Sequence, residues 1–132
     1  MNKKFIVPFD TAKILKEAGC DCIVSHYYRP NGDLELAIGA VSNSNTSTAI
    51  AAPAYCELIE WFEWHNIVFD LESTFSSALP GLSYYCYIKT FDKWSMKNVT
   101  ETKFHSTPED ALNEAVLKAI ELLNDNVTVA EL

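Results

Sequence analysis

Cys20, Cys22 and His26 form the densest group of side chains able to hold a metal ion in this sequence of 132 residues. Zinc takes four ligands in a tetrahedral array, ordinarily delivered as C-x2-C or H-x3-H pairs, and this C-x-C-x3-H run supplies at most part of that set. Alternation along an extended segment puts Cys22 and His26 on one face and leaves Cys20 at a turn. The remaining thiols and imidazoles, Cys56, Cys86, His65 and His105, are scattered singly. The ligand set is incomplete, so no metal or other cofactor is assigned. Four cysteines in a reducing compartment read more simply as small apolar residues than as disulfides.

Nucleophilic catalysis needs a thiol or hydroxyl beside a base that a third group orients. Cys86 and His105 fall on segments that neighbour one another, but no signature of a catalytic set surrounds them. Gly19, Gly32, Gly39 and Gly81 are dispersed and build no phosphate-cradling loop. The chain reads as non-enzymatic, with a cysteine- and histidine-based enzyme or metal-binding protein as the alternative.

The formal charge of −8 is unevenly placed. Residues 1–52 carry five basic and five acidic side chains, whereas residues 53–132 carry five basic and thirteen acidic. Neutralising nucleic-acid phosphates takes clustered Lys or Arg, and the close group here is Lys89, Lys93 and Lys97 around one turn. Nucleic-acid binding is therefore the third reading. No apolar run approaches the ~20 residues of a membrane span, and Phe5-Ile6-Val7 is cut short by Pro8. A cytoplasmic chain without a membrane segment is expected.

The elements that must position these side chains follow from periodicity and punctuation. Thr107 is a hydroxyl N-cap, Pro108 suits the first helical position, and Glu109 and Asp110 complement the positive end of the dipole. Leu112, Ala115, Val116, Ala119, Ile120 and Leu123 then mark one face of a helix ending near Asn124. Asp10 reads as the N-cap of a first, two-turn helix, with Phe9 and Ile14 as its hydrophobic staple and Gly19 as its stop. Cys22–Tyr28 and Leu34–Val41 read as a hairpin around Asn31-Gly32. Ser42–Thr48 is a polar loop. A second helix spans about Pro53–His65, with Tyr55, Leu58, Ile59 and Phe62 inward. Three strands follow, from Ile67, over Leu82–Phe91 and over Asn98–His105, with a polar connection at Ser73–Gly81.

The expected fold class is α+β: a two-layer sandwich in which two helices cover an antiparallel meander, preceded by a short helix and a hairpin. It is read as a single domain over 1–132, with a helix and hairpin subregion (1–41), a polar loop (42–52), an α-β-β-β-α core (53–124) and a tail (125–132). In the strand over Leu82–Phe91, Leu82, Tyr84, Cys86 and Ile88 face one way and Tyr85, Tyr87, Lys89 and Phe91 the other. Tyr27, Tyr28, Trp64, Tyr85, Tyr87 and Trp94 cannot all enter one core face, and Tyr and Trp are enriched where proteins bind one another. Either Tyr85 and Tyr87 pack against the first helix and hairpin on the second face of the sheet, or part of the aromatic surface stays open; Tyr85, Tyr87, Trp64 and Trp94 are then the candidate binding residues, for a protein partner or a second copy of the chain.

Phe9-Asp10-Thr11-Ala12-Lys13-Ile14-Leu15-Lys16-Glu17-Ala18-Gly19, Ala52-Pro53-Ala54-Tyr55 leading to Ile59-Glu60-Trp61-Phe62 and His65-Asn66-Ile67, and Thr107-Pro108-Glu109-Asp110-Ala111-Leu112 together carry a resemblance. The chain resembles small uncharacterised α+β proteins of gut-bacterial phages and mobile elements. The matching motifs are helix starts and packing patterns, so the resemblance implies an accessory role and brings no catalytic residue with it.

Overall fold

The computed structural model describes residues 5–44, 48–75 and 80–131. Among these residues, three helices and two three-stranded antiparallel sheets make it an α+β protein. The chain divides into two compact units, Met1–Trp61 and Phe62–Leu132.

In the first unit, α1 (Phe9–Glu17) begins two residues earlier than its sequence suggests. Pro8 is the N-cap, its carbonyl receiving the Ala12 N–H at 2.9 Å, and Asp10 lies inside the first turn, where its charge still suits the dipole. The expected staple is not made. Phe9 stacks edge-on against Tyr28 with centroids 5.3 Å apart, while Ile14 is 41% exposed. Gly19 ends the helix as expected: at φ 84 it lets the Cys20 N–H reach the Leu15 carbonyl and its own N–H reach that of Lys16, the paired bonds of a Schellman motif.

β1 (Val24–Tyr28) and β2 (Leu34–Val41) form the expected hairpin, and β3 (Ile50–Ala51) pairs on the far side of β1. β3 falls within the stretch read as a polar loop. Asn43 substitutes for missing strand there, accepting the Ala51 N–H and donating to the Cys20 carbonyl. Residues 45–47 of that loop lie outside the described residues. β2 also carries a large bulge, since Val24 faces Val41 while His26 faces Leu36. The extra residues swing Ile38 into solvent at 99% exposure, with Gly39 beside it at φ 89.

α2 (Tyr55–Glu63) is shorter than the Pro53–His65 span. Glu57 reaches back to accept the Ala54 N–H at 2.8 Å, half of a capping box, and this sets the start. Tyr55, Leu58 and Phe62 are buried as expected. After the helix Asn66 takes the left-handed conformation at φ 65, which Asn tolerates better than most residues, and turns the chain into the second sheet.

The second unit is a meander of β4 (Ile67–Phe75), β5 (Leu82–Phe91) and β6 (Met96–Glu101), followed by α3 (Pro108–Glu131). β4 runs three residues into the segment read as a connection, because Phe75 still pairs with Leu82; residues 76–79 lie outside the described residues. Phe62 stacks edge-on against Phe69 of β4 with centroids 5.2 Å apart. α3 packs on β4 and β5 through Ala111, Ala115, Val116, Ala119 and Ile120, while Leu112 and Leu123 are half-buried. Its Thr107 cap is formed, the hydroxyl accepting the Asp110 N–H at 3.2 Å. The helix continues past Asn124 to Glu131, since no Gly or Pro interrupts it. No helix is long and apolar enough to cross a membrane among the described residues.

Candidate interaction face

β5 is the central strand of its sheet, so both of its edges are paired with neighbours. Ile67 of β4 and Cys86 and Ile88 of β5 share the buried phase. Tyr85, Tyr87 and Lys89 occupy the opposite phase and are half-buried. The phases predicted for Cys86, Ile88, Tyr85 and Tyr87 hold.

Residues directly opposite on neighbouring strands share a face. Tyr85 stands across from Glu72 of β4, and Tyr87 stands between Asp70 of β4 and Glu101 of β6. The Tyr85 ring meets that of Tyr87 at 5.4 Å and that of Phe104 at 5.2 Å, both edge-on. Phe104 is 48% exposed. It reaches Tyr85 because the chain beyond β6 keeps following β5, with His105 bridging to Tyr84. A wide, open depression beside this array is lined by Tyr87, Asn98, Val99, Thr100 and Glu101, where β6 bulges between Asn98 and Thr100.

The electrostatics of the face are acidic. The Lys89 ammonium donates to Asp70 at 2.8 Å, which holds the Asp70 carboxyl below and the Lys89 ammonium above their ordinary values. Glu72 and Glu101 both lie close enough to push the Tyr85 phenol up, after its hydrogen bond with Tyr87 and desolvation. Phe104, Glu72, Asp70 and Glu101 escaped the sequence reading. Glu72 and Glu101 look like ordinary solvated acids until the register sets them opposite tyrosines. Phe104 and Val99 fall in opposing phases, which reads as a poor strand when the cause is irregular pairing.

Trp64 and Trp94 sit elsewhere in the unit. The Phe91 N–H donates to the Asn66 carbonyl, so the α2–β4 connection bearing Trp64 and the β5–β6 turn bearing Trp94 lie at one end of the sheet. They are 81% and 92% exposed. Asp92 fixes the turn by accepting the N–H groups of Trp94 and Ser95, and those bonds hold its carboxyl below the usual range. Trp64 and Trp94 are thus apart from the Tyr85–Tyr87 pair, each on a connection at that end of the sheet.

The lysine cluster is split by the sheet. Lys89 shares the Tyr87 phase and is paired with Asp70, whereas Lys97 stands opposite Thr90 in the other phase.

Three of the four cysteines have environments unlike those of reactive thiols, while Cys56 is exposed on α2. Cys20 and Cys22 are buried, and desolvation pushes their thiols up to about 11 and about 12. The Cys22 thiol faces the carbonyls of Ile23 and Glu57, while His26 is bonded through Nδ1 to the Ser25 hydroxyl. Cys86, also buried, faces the Tyr87 carbonyl and is pushed up to about 12. A thiolate nucleophile needs the reverse shift. His105 Nε2 is bonded to Glu114 Oε1 at 2.7 Å. Among the described residues, no three His, Cys, Asp or Glu side chains converge on a point that could hold a metal ion.

No protein-family model, curated protein or solved structure matches this chain.

Proposed function

We propose that the protein is a non-enzymatic accessory protein that works through protein contacts, of the phage and mobile-element kind its sequence resembles, and that the outer face of β4–β5–β6 is its docking surface. The observation carrying this reading is the array of Tyr85, Tyr87 and Phe104, in which the Tyr85 ring meets each of the other two edge-on and all three are incompletely covered. Rigid aromatic side chains on a sheet lose little entropy on binding and supply much of the contact energy at protein interfaces. The cysteine-based alternative has less support, since three of the four thiols are buried and raised.

Replacing Tyr85 and Tyr87 together by Thr keeps strand propensity while deleting the rings. Static light scattering on both proteins covers the homodimer case: a dimer that becomes monomeric in the variant assigns the face to a second copy. A photo-cross-linking residue at position 87 covers a different partner. A monomer that gives no adduct from position 87 in the native host overturns the proposal.

A further inference from the structure

We infer that the occupant of this face is a basic protein segment, bound extended, that lays one cationic side chain against Tyr85 and Glu72 and a second against Tyr87 and Glu101. The inference rests on the docking reading above and adds the chemistry of the partner.

Each ring of the Tyr85–Tyr87 pair has a carboxylate directly across the ladder, Glu72 from the β4 side and Glu101 from the β6 side. The third carboxylate, Asp70, is engaged by Lys89 at 2.8 Å. A carboxylate beside an aromatic ring is a complete seat for guanidinium or ammonium, combining a charge-assisted hydrogen bond with attraction to the ring face. The two carboxylate positions, Glu72 on β4 and Glu101 on β6, lie diagonally, two strand spacings across and two residues along, roughly 12 Å apart by standard sheet dimensions. Residues i and i+4 of an extended segment point the same way about 13 Å apart, which matches that diagonal. Charge selects among occupants. A second copy would bring Asp70, Glu72 and Glu101 against themselves with Lys89 as their counterion on each side, and nucleic-acid phosphates would meet the same carboxylates.

The test uses the full chain, uniformly labelled with 15N, titrated with a nine-residue Gly/Ser/Thr peptide carrying Arg at its third and seventh positions. Amide shifts at Glu72, Tyr85, Tyr87 and Glu101 are expected, weakening as salt is raised. The same peptide with both Arg replaced by Gln should give none. Glu72→Gln with Glu101→Gln should weaken binding roughly tenfold, about the loss of one good charge-assisted contact, while an unchanged amide spectrum elsewhere confirms the fold. Equal binding of the Gln peptide, unchanged affinity in the double variant, or shifts confined to other surfaces overturn the inference. A dimer dispersed by the tyrosine substitutions, or an adduct from position 87 with a partner lacking a basic segment, also overturns it while leaving the docking surface standing.

Discussion

Tyr85 stands directly opposite Glu72 across the β4–β5 ladder, with its ring against Tyr87 on one side and Phe104 on the other. A tyrosine built only for the core would lie in the phase of Cys86 and Ile88. Here two successive tyrosines occupy the other phase, surrounded by acids. The face is thus aromatic and negative together, which favours a partner that brings both contact area and positive charge.

The thiols give a direct check on the described environments. Burial holds Cys20, Cys22 and Cys86 protonated at pH 8, while Cys56 is exposed on α2. Iodoacetamide at that pH should label the native protein quickly at Cys56 alone and reach all four cysteines once denaturant is added, as read by mass spectrometry of the digested protein.

Glu114 ties α3 to the strand segment before it. Burial works against its carboxylate, but hydrogen bonds from His105 and the Lys103 N–H, with the charges of His105 and Lys118, outweigh that and hold the carboxyl below its usual value. A lowered native value means stability that is fully present above the unfolded value and lost as pH falls through the native one. Glu114→Gln should cost about 1 kcal/mol at neutral pH. Its urea midpoint should converge with that of the wild type in acid, and a constant difference at every pH would contradict the assignment.

Ser83 is fully buried with no hydrogen-bond partner for its hydroxyl among the described residues, and leaving such a group unpaired costs about 1–3 kcal/mol. Ser83→Ala should therefore match or exceed the wild type in thermal stability. By contrast, the buried Thr102 hydroxyl receives the Cys86 N–H at 2.9 Å, so Thr102→Val should lower stability by about 1–2 kcal/mol.

Much of this architecture is legible in the sequence, and the reasons are local. Thr107-Pro108-Glu109-Asp110 specifies a helix start through one hydroxyl, one ring and two charges, and Leu82–Phe91 is bounded and phased by its own β-prone residues. Features set by tertiary pairing were not legible. β3 is two residues long and exists because β1 offers an edge. β4 reaches Phe75 because Leu82 is there to meet it. The α1 start moved because Phe9 found Tyr28 rather than Ile14. At the candidate face the tyrosines could be named from alternation, but their acids could not, since Glu72 and Glu101 become neighbours of tyrosines only through the registers of two ladders.

The central claim is that the outer face of β4–β5–β6 is where this protein meets its partner. It is tested most directly by placing a photo-cross-linking residue at position 87 and, as control, at Glu121 on the exposed side of α3, then irradiating in the native host. A discrete adduct from position 87, absent from position 121 and lost when Tyr85 is also replaced by Thr, is the predicted result. Equal adducts from both positions, or none from position 87, would contradict it.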